Sequence, residues 1–312
     1  MTALAFVFPG QGAQAVGMGR ALHQSSSAAK AVFEEADAAL GEDFSRLIFE
    51  GPDTELALTR NTQPAILTVS VATAAVCVER GLRPAFAAGH SLGEYSALAV
   101  AGALAFGDAV RLVRRRGEFM QDAVPVGTGA MAAIMGMGVA DVETLCREAA
   151  AGDVVEVANV NSAAQIVIAG HREAVERAAA LAASRGGKKS MLPVSAPFHC
   201  SLMAPAAQRL AAELTSIKIG APRFPVVRNV DAGLTRRAEE VKPGLVGQVA
   251  SPVRWTDCMR VLLDQGVTTF VEVGPGRTLT ALLKRIDEGA LGLAVSDPDS
   301  LTKAVVAAGI HR

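Results

Sequence analysis

The chain has 312 residues and a net charge of −1, and half of its residues are hydrophobic. This length can bury a sizeable core in one large or two smaller domains, and the nearly neutral charge argues against general nucleic-acid binding. The mean hydropathy of +0.31 is high, but the longest apolar run, residues 95–106, is shorter than the roughly 20 residues that a membrane helix needs. The apolar start of the chain lacks the basic segment of a signal peptide. We therefore expect a cytoplasmic protein without a membrane partner.

The four cysteines are Cys77, Cys146, Cys200 and Cys258, and they lie far apart in the sequence without a C-x-x-C pair. A zinc site or a disulfide framework would need closer spacing, whereas free thiols in a reducing compartment need none. We expect no metal ion and no disulfide.

The first part of the chain alternates between strand patterns and helical patterns. A buried strand is predicted at 3–8, ahead of the glycine-rich loop 9–12, and another at 84–89, directly before the pentapeptide Gly-His-Ser-Leu-Gly. Helices are predicted at 27–40, 63–80, 94–105 and 108–122. This alternation predicts an α/β fold with a largely parallel sheet.

The pattern changes at 125–129, where proline and glycine interrupt it. The six elements that follow have the order β-α-β-β-α-β of a ferredoxin-like α+β unit. They are predicted at 130–137, 140–151, 154–160, 165–169, 171–185 and 188–194. The earlier pattern then resumes, with helices at 202–216, 255–265 and 277–287 and strands at 225–229 and 268–273. We expect a large α/β hydrolase-like catalytic domain, residues 1–124 and 198–312, with a ferredoxin-like small subdomain, residues 125–197, inserted into it.

The pentapeptide has the G-x-S-x-G pattern of a nucleophile elbow, in which a serine sits on a sharp strand-to-helix turn. Gly89 and Gly93 let the backbone bend around Ser91. The backbone N–H of Leu92 then points at the carbonyl under attack, and the helix start favours the developing oxyanion. The pattern therefore predicts that Ser91 is the nucleophile of an enzyme with an acyl-serine intermediate; a plain helix-start turn is the alternative interpretation.

The serine needs a general base, and the chain has five histidines. His311 is next to the C-terminus, and His23 and His171 lie in polar helical surroundings. His90 adjoins the serine at a turn where neighbouring side chains point apart. His199 remains, in an irregular stretch where the chain re-enters the large domain, and elimination favours it as the base.

Three other patterns compete with this interpretation. Residues 27–30 match S-x-x-K of the penicillin-binding enzymes, but the accompanying S-D-N and K-T-G motifs are missing and a helix N-cap explains the serine. Residues 274–277 lack the G-x-x-x-x-G-K-[ST] pattern of a phosphate loop and predict a strand-to-helix turn. The arginines at 111–116 are by default a solvated helix face.

Several motifs, taken together and in order, cover nearly the whole chain. They are F-P-G-Q-G-A-Q at 8–14, G-H-S-L-G-E-Y at 89–95, Arg116-Gly117, N-V-N-S at 159–162, V-I-A-G at 167–170, A-P-F-H at 196–199, Gln248 ahead of S-P-V-R-W at 251–255, and V-E-V-G-P-G at 271–276. In this set the chain resembles the malonyl-CoA:acyl carrier protein transacylases. The same fold serves acyltransferase domains of polyketide and animal-type fatty acid synthases, and a free-standing chain of this length resembles the discrete enzyme of bacterial fatty acid synthesis.

The resemblance implies a ping-pong reaction in lipid metabolism. Ser91 would attack malonyl-CoA with His199 as base, and the phosphopantetheine thiol of acyl carrier protein would then collect the malonyl group. The backbone N–H groups of Gln11 and Leu92 would form the oxyanion hole, and Arg116 would bind the free malonyl carboxylate as a bidentate pair. Coenzyme A is then part of a substrate, and no cofactor is expected.

The resemblance also implies that no acid completes a triad. The ring N–H of His199 would be held by a backbone carbonyl near Gln248, so Asp231 receives no triad role despite its place after a predicted strand. Leu92 and Phe198 match the malonyl-preferring pattern, because Phe198 would occupy the space of an α-methyl branch. One methyl group is worth only about 1–3 kcal/mol, so this is a preference.

Two other functions fit part of the pattern. A hydrolase of esters or thioesters would also use the elbow and a histidine, but Arg116 and the missing acid disfavour it. An inert scaffold or carrier-binding module would not need Ser91, His199, Arg116 and Gln248 together. Lys188, Lys189 and the remaining arginines of 111–116 are candidates for docking an acidic carrier protein, with plain surface charge as the alternative. The sequence gives no strong sign of oligomerisation, and we expect a monomer.

Overall fold

The computed structural model describes residues 3–194 and 196–310; His311 lies outside them. The strands are β1 Ala3–Phe8, β2 Phe86–Gly89, β3 Gly129–Met135, β4 Val155–Ser162, β5 Gln165–His171, β6 Lys188–Met191, β7 Val226–Val227, β8 Leu234–Thr235, β9 Val267–Val273 and β10 Leu291–Val295. The helices are α1 Arg20–Ser25, α2 Ser27–Leu40, α3 Phe44–Glu50, α4 Asp53–Leu56, α5 Thr59–Glu79, α6 Gly93–Val100, α7 Phe106–Asp122, α8 Val139–Ala150, α9 Arg172–Ser184, α10 Ala204–Glu213, α11 Ala238–Val249, α12 Trp255–Asp264, α13 Thr278–Ile286 and α14 Pro298–Ala307.

The larger sheet has six strands in the order β10-β9-β1-β2-β7-β8. Every pair is parallel except β7 with β8. In the central register Val7 pairs with Ala88 on one side and with Glu272 on the other. The carboxyl ends of β1, β2 and β9 therefore meet at one edge, where parallel α/β sheets place their ligands. The predicted α/β fold with a largely parallel sheet is confirmed.

The smaller sheet has four antiparallel strands in the order β4-β5-β3-β6, with α8 and α9 between them in the chain. The element order is β-α-β-β-α-β, as predicted for a ferredoxin-like unit. Residues such as Ile134, Val142, Ile168 and Val175 form a hydrophobic cluster that belongs to this sheet and its helices. This sheet and its helices therefore have a hydrophobic cluster of their own.

Backbone hydrogen bonds join the smaller sheet to the rest of the molecule. The Val160 N–H donates to the Val253 carbonyl, and the Val253 N–H donates to the Ala158 carbonyl, both at 2.9 Å. These bonds form one isolated parallel bridge between Asn159 of β4 and Val253. The end of β4 is thereby fixed beside the carboxyl edge of the larger sheet.

Helix α5 has 21 residues and is long and apolar enough to cross a membrane by length and composition alone. Of its most apolar window, 83% is buried inside the protein, as in the core helix of a globular fold. The helix begins at Thr59, four residues before the predicted start, so Pro64 lies in its second turn. Gln63 is consequently a buried helical residue that points into the protein.

Several elements differ from the sequence predictions. Helix α6 ends at Val100 and β6 at Met191, both earlier than predicted, and the helix expected at 202–216 is a 3₁₀ turn, Ser201–Met203, followed by α10. The sequence patterns did not predict seven further elements, namely α1, α3, α4, α11, α14, β8 and β10. Helix α11 is the omission that concerns the site, because it carries Gln248.

Candidate active site

Ser91 lies on the turn between β2 and α6, with a left-handed φ of 52°. For a residue with a side chain, this left-handed conformation is about 1–2 kcal/mol less favourable than the right-handed one. The turn is so tight that a Cβ on Gly89 would lie 1.8 Å from the Gly93 carbonyl carbon, and one on Gly93 would lie 2.1 Å from the Phe8 carbonyl oxygen. Both glycines of the pentapeptide are therefore required by the backbone.

Asn229 holds this turn from outside. Its Oδ1 accepts a hydrogen bond from the Ser91 N–H, and its Nδ2 donates to the Gly89 carbonyl, both at 2.7 Å. The side chain is fully buried and comes from the loop after β7. Sequence reasoning missed Asn229; its place just after a strand, at the carboxyl edge of the sheet, was the available signal.

His199 is the histidine that meets the serine, with Nε2 at 2.7 Å from Ser91 Oγ. Its Nδ1 lies 2.9 Å from the backbone carbonyl oxygen of Gln248, an acceptor that requires the proton on Nδ1. Burial, together with the positive charge of Arg116, lowers the pKa of His199 to about 3. The ring is therefore neutral, and the free lone pair of Nε2 faces the serine hydroxyl. Like Ser91, His199 has a left-handed φ, 61°.

Arg116 is the buried arginine of the 111–116 group and is 1% exposed. Its Nη1 donates to Gln63 Oε1 at 2.7 Å, and its Nη2 donates to Gln248 Oε1 at 2.9 Å and to Ser91 Oγ at 3.2 Å. The guanidinium carbon also lies 5.2 Å from the centre of the Tyr95 ring. These partners are uncharged, so among residues 3–194 and 196–310 no carboxylate bonds to the guanidinium beside the nucleophile.

Of the neighbouring arginines, Arg111 and Arg115 are solvated as expected, whereas the side chain of Arg114 is only 17% exposed. Arg111 pairs with Asp108, Arg114 with Glu42, and Arg115 with Glu118 and Glu213. Helical periodicity separates Arg116 from them, because it shares the inner face of α7 with Leu112 and Met120, four residues before and after it.

Gln248 connects the groups of the site. Besides the two contacts above, its Nε2 donates to the Ser91 carbonyl at 2.9 Å and to Glu94 Oε2 at 2.7 Å. Glu94 is buried in the first turn of α6 and was not singled out from the sequence. Asp231, in contrast, pairs with Arg228 at 2.9 Å and is half-exposed.

A cleft of about 120 Å³ opens above Ser91 and His199, between the two sheets. Its apolar wall consists of Leu92, Met120, Met131, Leu192, Val194 and Phe198. Gln11 lies at its mouth, exposed, and donates from Nε2 to Thr59 Oγ1 at 3.3 Å. His90 is turned away from the serine: its Nε2 lies 2.8 Å from Asn161 Oδ1 and its ring 5.5 Å from that of Trp255.

A serine on a strand-to-helix turn, hydrogen-bonded to a histidine, is typical of α/β enzymes that work through acyl-serine intermediates. Residues 5–296 match the family model described as the acyl transferase domain. The chain is 50% identical to the malonyl CoA-acyl carrier protein transacylase of Escherichia coli K12, over 98% of this chain and 99% of the relative. It is 47% identical to that of Bacillus subtilis 168, over 98% and 97%.

Solved structures agree with these relatives. The malonyl CoA-acyl carrier protein transacylase of Coxiella burnetii superposes with a TM-score of 0.96 at 44% identity, covering 98% of this chain and 97% of that one. A malonyl-transacylase in complex with a type II polyketide acyl carrier protein gives 0.96 at 46% identity, with 98% and 100% covered. The chain thus belongs to the acyl transferase family and, within it, to the malonyl CoA-acyl carrier protein transacylases. The resemblance seen in the sequence is confirmed, and the protein is an acyltransferase.

Proposed function

We propose that the protein transfers the malonyl group from malonyl-CoA to the phosphopantetheine thiol of an acyl carrier protein, for fatty acid biosynthesis. The observation that carries this proposal is the cation of Arg116, which is buried 3.2 Å from the nucleophilic oxygen of Ser91 with only neutral hydrogen-bond partners. A planar guanidinium pairs with a carboxylate through two parallel hydrogen bonds. The free carboxylate of malonyl would supply the missing negative charge.

In the first half-reaction Ser91 Oγ attacks the thioester carbonyl while His199 Nε2 takes its proton. The new C–O bond forms, the C–S bond breaks, and the coenzyme A thiolate leaves with the proton that His199 returns. The Gln248 carbonyl stabilises the imidazolium through Nδ1–H. The N–H groups of Gln11 and Leu92 form the oxyanion hole, and the position of Leu92 at the N-terminus of α6 favours that role.

The second half-reaction reverses these steps with a different thiol. The carrier thiol gives its proton to His199 and attacks the malonyl-Ser91 ester, and the serine oxygen leaves with that proton. Acyl exchange between thioester, ester and thiol involves no electron transfer, so we propose that no cofactor takes part.

Phe198 and Leu92 both line the cleft, and we propose that they set the preference for an unbranched acyl group. Phe198 is 8% exposed and directly precedes the base. A methyl branch would have to displace this ring, which supports a preference for malonyl over methylmalonyl.

Further expectations stand as proposals beside this function. The four free, buried cysteines support a reducing, cytoplasmic location. Lys188 and Lys189, exposed on β6, are proposed to steer an acidic carrier protein towards the cleft. We also propose that the chain acts as a monomer, and that residues 125–197 form the small subdomain between the two parts of the large one, 1–124 and 198–312.

Intact mass spectrometry tests the proposed reaction. Mixed with malonyl-CoA, the protein should gain one malonyl group, and Ser91→Ala should gain none. Adding holo acyl carrier protein should remove the group from the enzyme and place it on the carrier. Rapid release of free malonate without a persistent adduct would instead identify a hydrolase.

Arg116→Ala tests the carboxylate site, and Arg115→Ala on the same helix is the matched surface control, because Arg115 pairs with exposed acids. Arg116→Ala should weaken malonyl loading by roughly 100-fold or more, as expected for the loss of a buried charged pair. Acetyl loading should change far less, and Arg115→Ala should affect neither. Equal losses for the two acyl groups would contradict the role of Arg116.

A further inference from the structure

Glu94 is a buried carboxylate that the reaction steps above do not use. It lies three residues after the nucleophile and is 1% exposed. Its Oε2 accepts hydrogen bonds from the Asn229 N–H at 2.9 Å and from Gln248 Nε2 at 2.7 Å. Burial raises the pKa of Glu94 to about 7, which reflects the cost of holding a charge away from water. A carboxylate in this position therefore requires a reason other than stability.

The hydrogen bond from Gln248 to Glu94 shows how the charge of Glu94 can orient the Gln248 amide. A glutamine amide has nearly the same shape in its two flipped orientations, but one end only accepts and the other only donates. In the observed orientation Gln248 Nε2 faces Glu94 and the Ser91 carbonyl, while its Oε1 faces the guanidinium of Arg116. After a flip, Oε1 of Gln248 would face the carboxylate of Glu94, and the Nε2 hydrogens of Gln248 would face the guanidinium of Arg116. A carboxylate, which has no donor, forbids that arrangement.

We propose that Glu94 is a positioning residue for malonyl selection: its carboxylate fixes the Gln248 amide, and the amide fixes the Arg116 guanidinium where the malonyl carboxylate binds. This inference rests on the proposed function. Glu94 makes no hydrogen bond to the reacting atoms, and its proposed effect on Arg116 runs through Gln248. The effect of Glu94 on acyl loading should therefore depend on Arg116. It should appear with acyl groups that carry a free carboxylate, such as malonyl.

The charged and titratable groups around Glu94 come from three other elements and from its own helix. Arg116 of α7 and Arg228 of the loop after β7 both lower its pKa from a distance. Burial raises the pKa of Tyr95 to about 12 and that of the Cys258 thiol well above its usual range, so both keep their protons. Since His199 titrates far lower, Glu94 is the group of this set that changes charge near neutral pH.

The test measures kcat/KM for the loading of malonyl from malonyl-CoA and of acetyl from acetyl-CoA in Glu94→Gln. Malonyl loading should fall roughly five- to tenfold, the difference between a hydrogen bond to a charged group and one to a neutral group. Acetyl loading should stay within about twofold. Glu272→Gln is the matched control, because Glu272 is equally buried but accepts from the Leu279 and Thr280 N–H groups outside the cleft. It should leave the malonyl-to-acetyl ratio unchanged.

Two further measurements separate positioning from plain structural support. In an Arg116→Ala background, Glu94→Gln should cause no additional loss of malonyl loading. In the wild-type protein, the malonyl-to-acetyl ratio should fall about fivefold from pH 8 to pH 6 as Glu94 gains a proton. This second measurement holds even if Glu94→Gln does not fold.

Equal losses of malonyl and acetyl loading in Glu94→Gln, or a pH-independent ratio in the wild-type protein, would overturn the positioning role of Glu94 and leave the proposed function standing. Wild-type protein that loads acetyl as fast as malonyl would overturn the proposed function itself, and this inference with it.

Discussion

Asn229→Ala should disturb the nucleophile without touching the substrate. The substitution removes both side-chain hydrogen bonds that hold the elbow, and it leaves the part-buried Ser91 N–H and the buried Gly89 carbonyl without these partners. Each loss costs about 1–3 kcal/mol, so the free energy of unfolding should fall by roughly 2–6 kcal/mol. This is a large share of the 5–15 kcal/mol typical of a folded protein.

The same substitution should slow acylation. Ser91 holds a left-handed φ that is unfavourable by about 1–2 kcal/mol, and Asn229 is what accepts its N–H in that conformation. Without this acceptor the serine should leave the reactive geometry for part of the time. We expect malonyl loading to slow by about tenfold, which corresponds to about 1.4 kcal/mol.

Asn61→Ala is the matched control for this experiment. Asn61 is also buried, and it also makes two side-chain hydrogen bonds, to the Glu55 carbonyl and from Arg114, away from the cleft. Urea unfolding can be followed by the fluorescence of the single tryptophan, Trp255, and loading by intact mass at short times. Asn229→Ala with an unchanged urea midpoint, or with loading no slower than Asn61→Ala, would refute the reasoning.

Three other predictions concern strain, charge and shape. Ser91→Gly should be more stable than Ser91→Ala by about 1 kcal/mol in urea unfolding, because glycine accepts the left-handed φ; the opposite order would contradict strain at this position. The pKa of His199 is lowered from 6.5 to about 3, so its neutral ring contributes stability above pH 6.5 that is lost as the pH falls. Relative to His199→Gln, the wild-type free energy of unfolding should fall by roughly 2 kcal/mol from pH 6.5 to pH 4.5, and a constant difference would rule out the buried neutral ring. Phe198→Ala should raise methylmalonyl loading relative to malonyl by about tenfold in a competition read by mass, and an unchanged ratio would show that the ring does not select.

The sequence predicted those parts of the fold and site that local patterns encode. The elbow could be recognised because the glycines, the preceding strand and the following helix are contiguous with Ser91. The β-α-β-β-α-β order of β3 to β6 with α8 and α9 could be predicted because hydrophobic periodicity and turn residues mark each element. The helix carrying Gln248 was missed because Pro243, Gly244 and Gly247 lower the helical propensity of its second half, which tertiary packing overrides.

The missed site residues share a different cause. Asn229 lies 138 positions from the serine that it holds, and Glu94 lies 154 positions from the glutamine that it orients. Neither contact follows from periodicity or from spacing, because both depend on which strand ends meet at the carboxyl edge of the sheet. Gln63 could have been found with Arg116 only if the inner faces of α5 and α7 had been paired in advance.

Asn229, which was missed, and Gln248, which was predicted, explain how a site made of unfavourable parts persists. Ser91 and His199 both hold left-handed backbone conformations, and Arg116 and Glu94 are buried charges; each of these features opposes folding when taken alone. Two residues offset these unfavourable free energies. Asn229 holds the backbone of Ser91, and Gln248 forms hydrogen bonds with Ser91, His199, Arg116 and Glu94. Loss of the Gln248 side chain should therefore cost more than the sum of its separate hydrogen bonds, because this one amide bonds to the Ser91 carbonyl, Arg116 and Glu94, while the backbone carbonyl of Gln248 still holds His199.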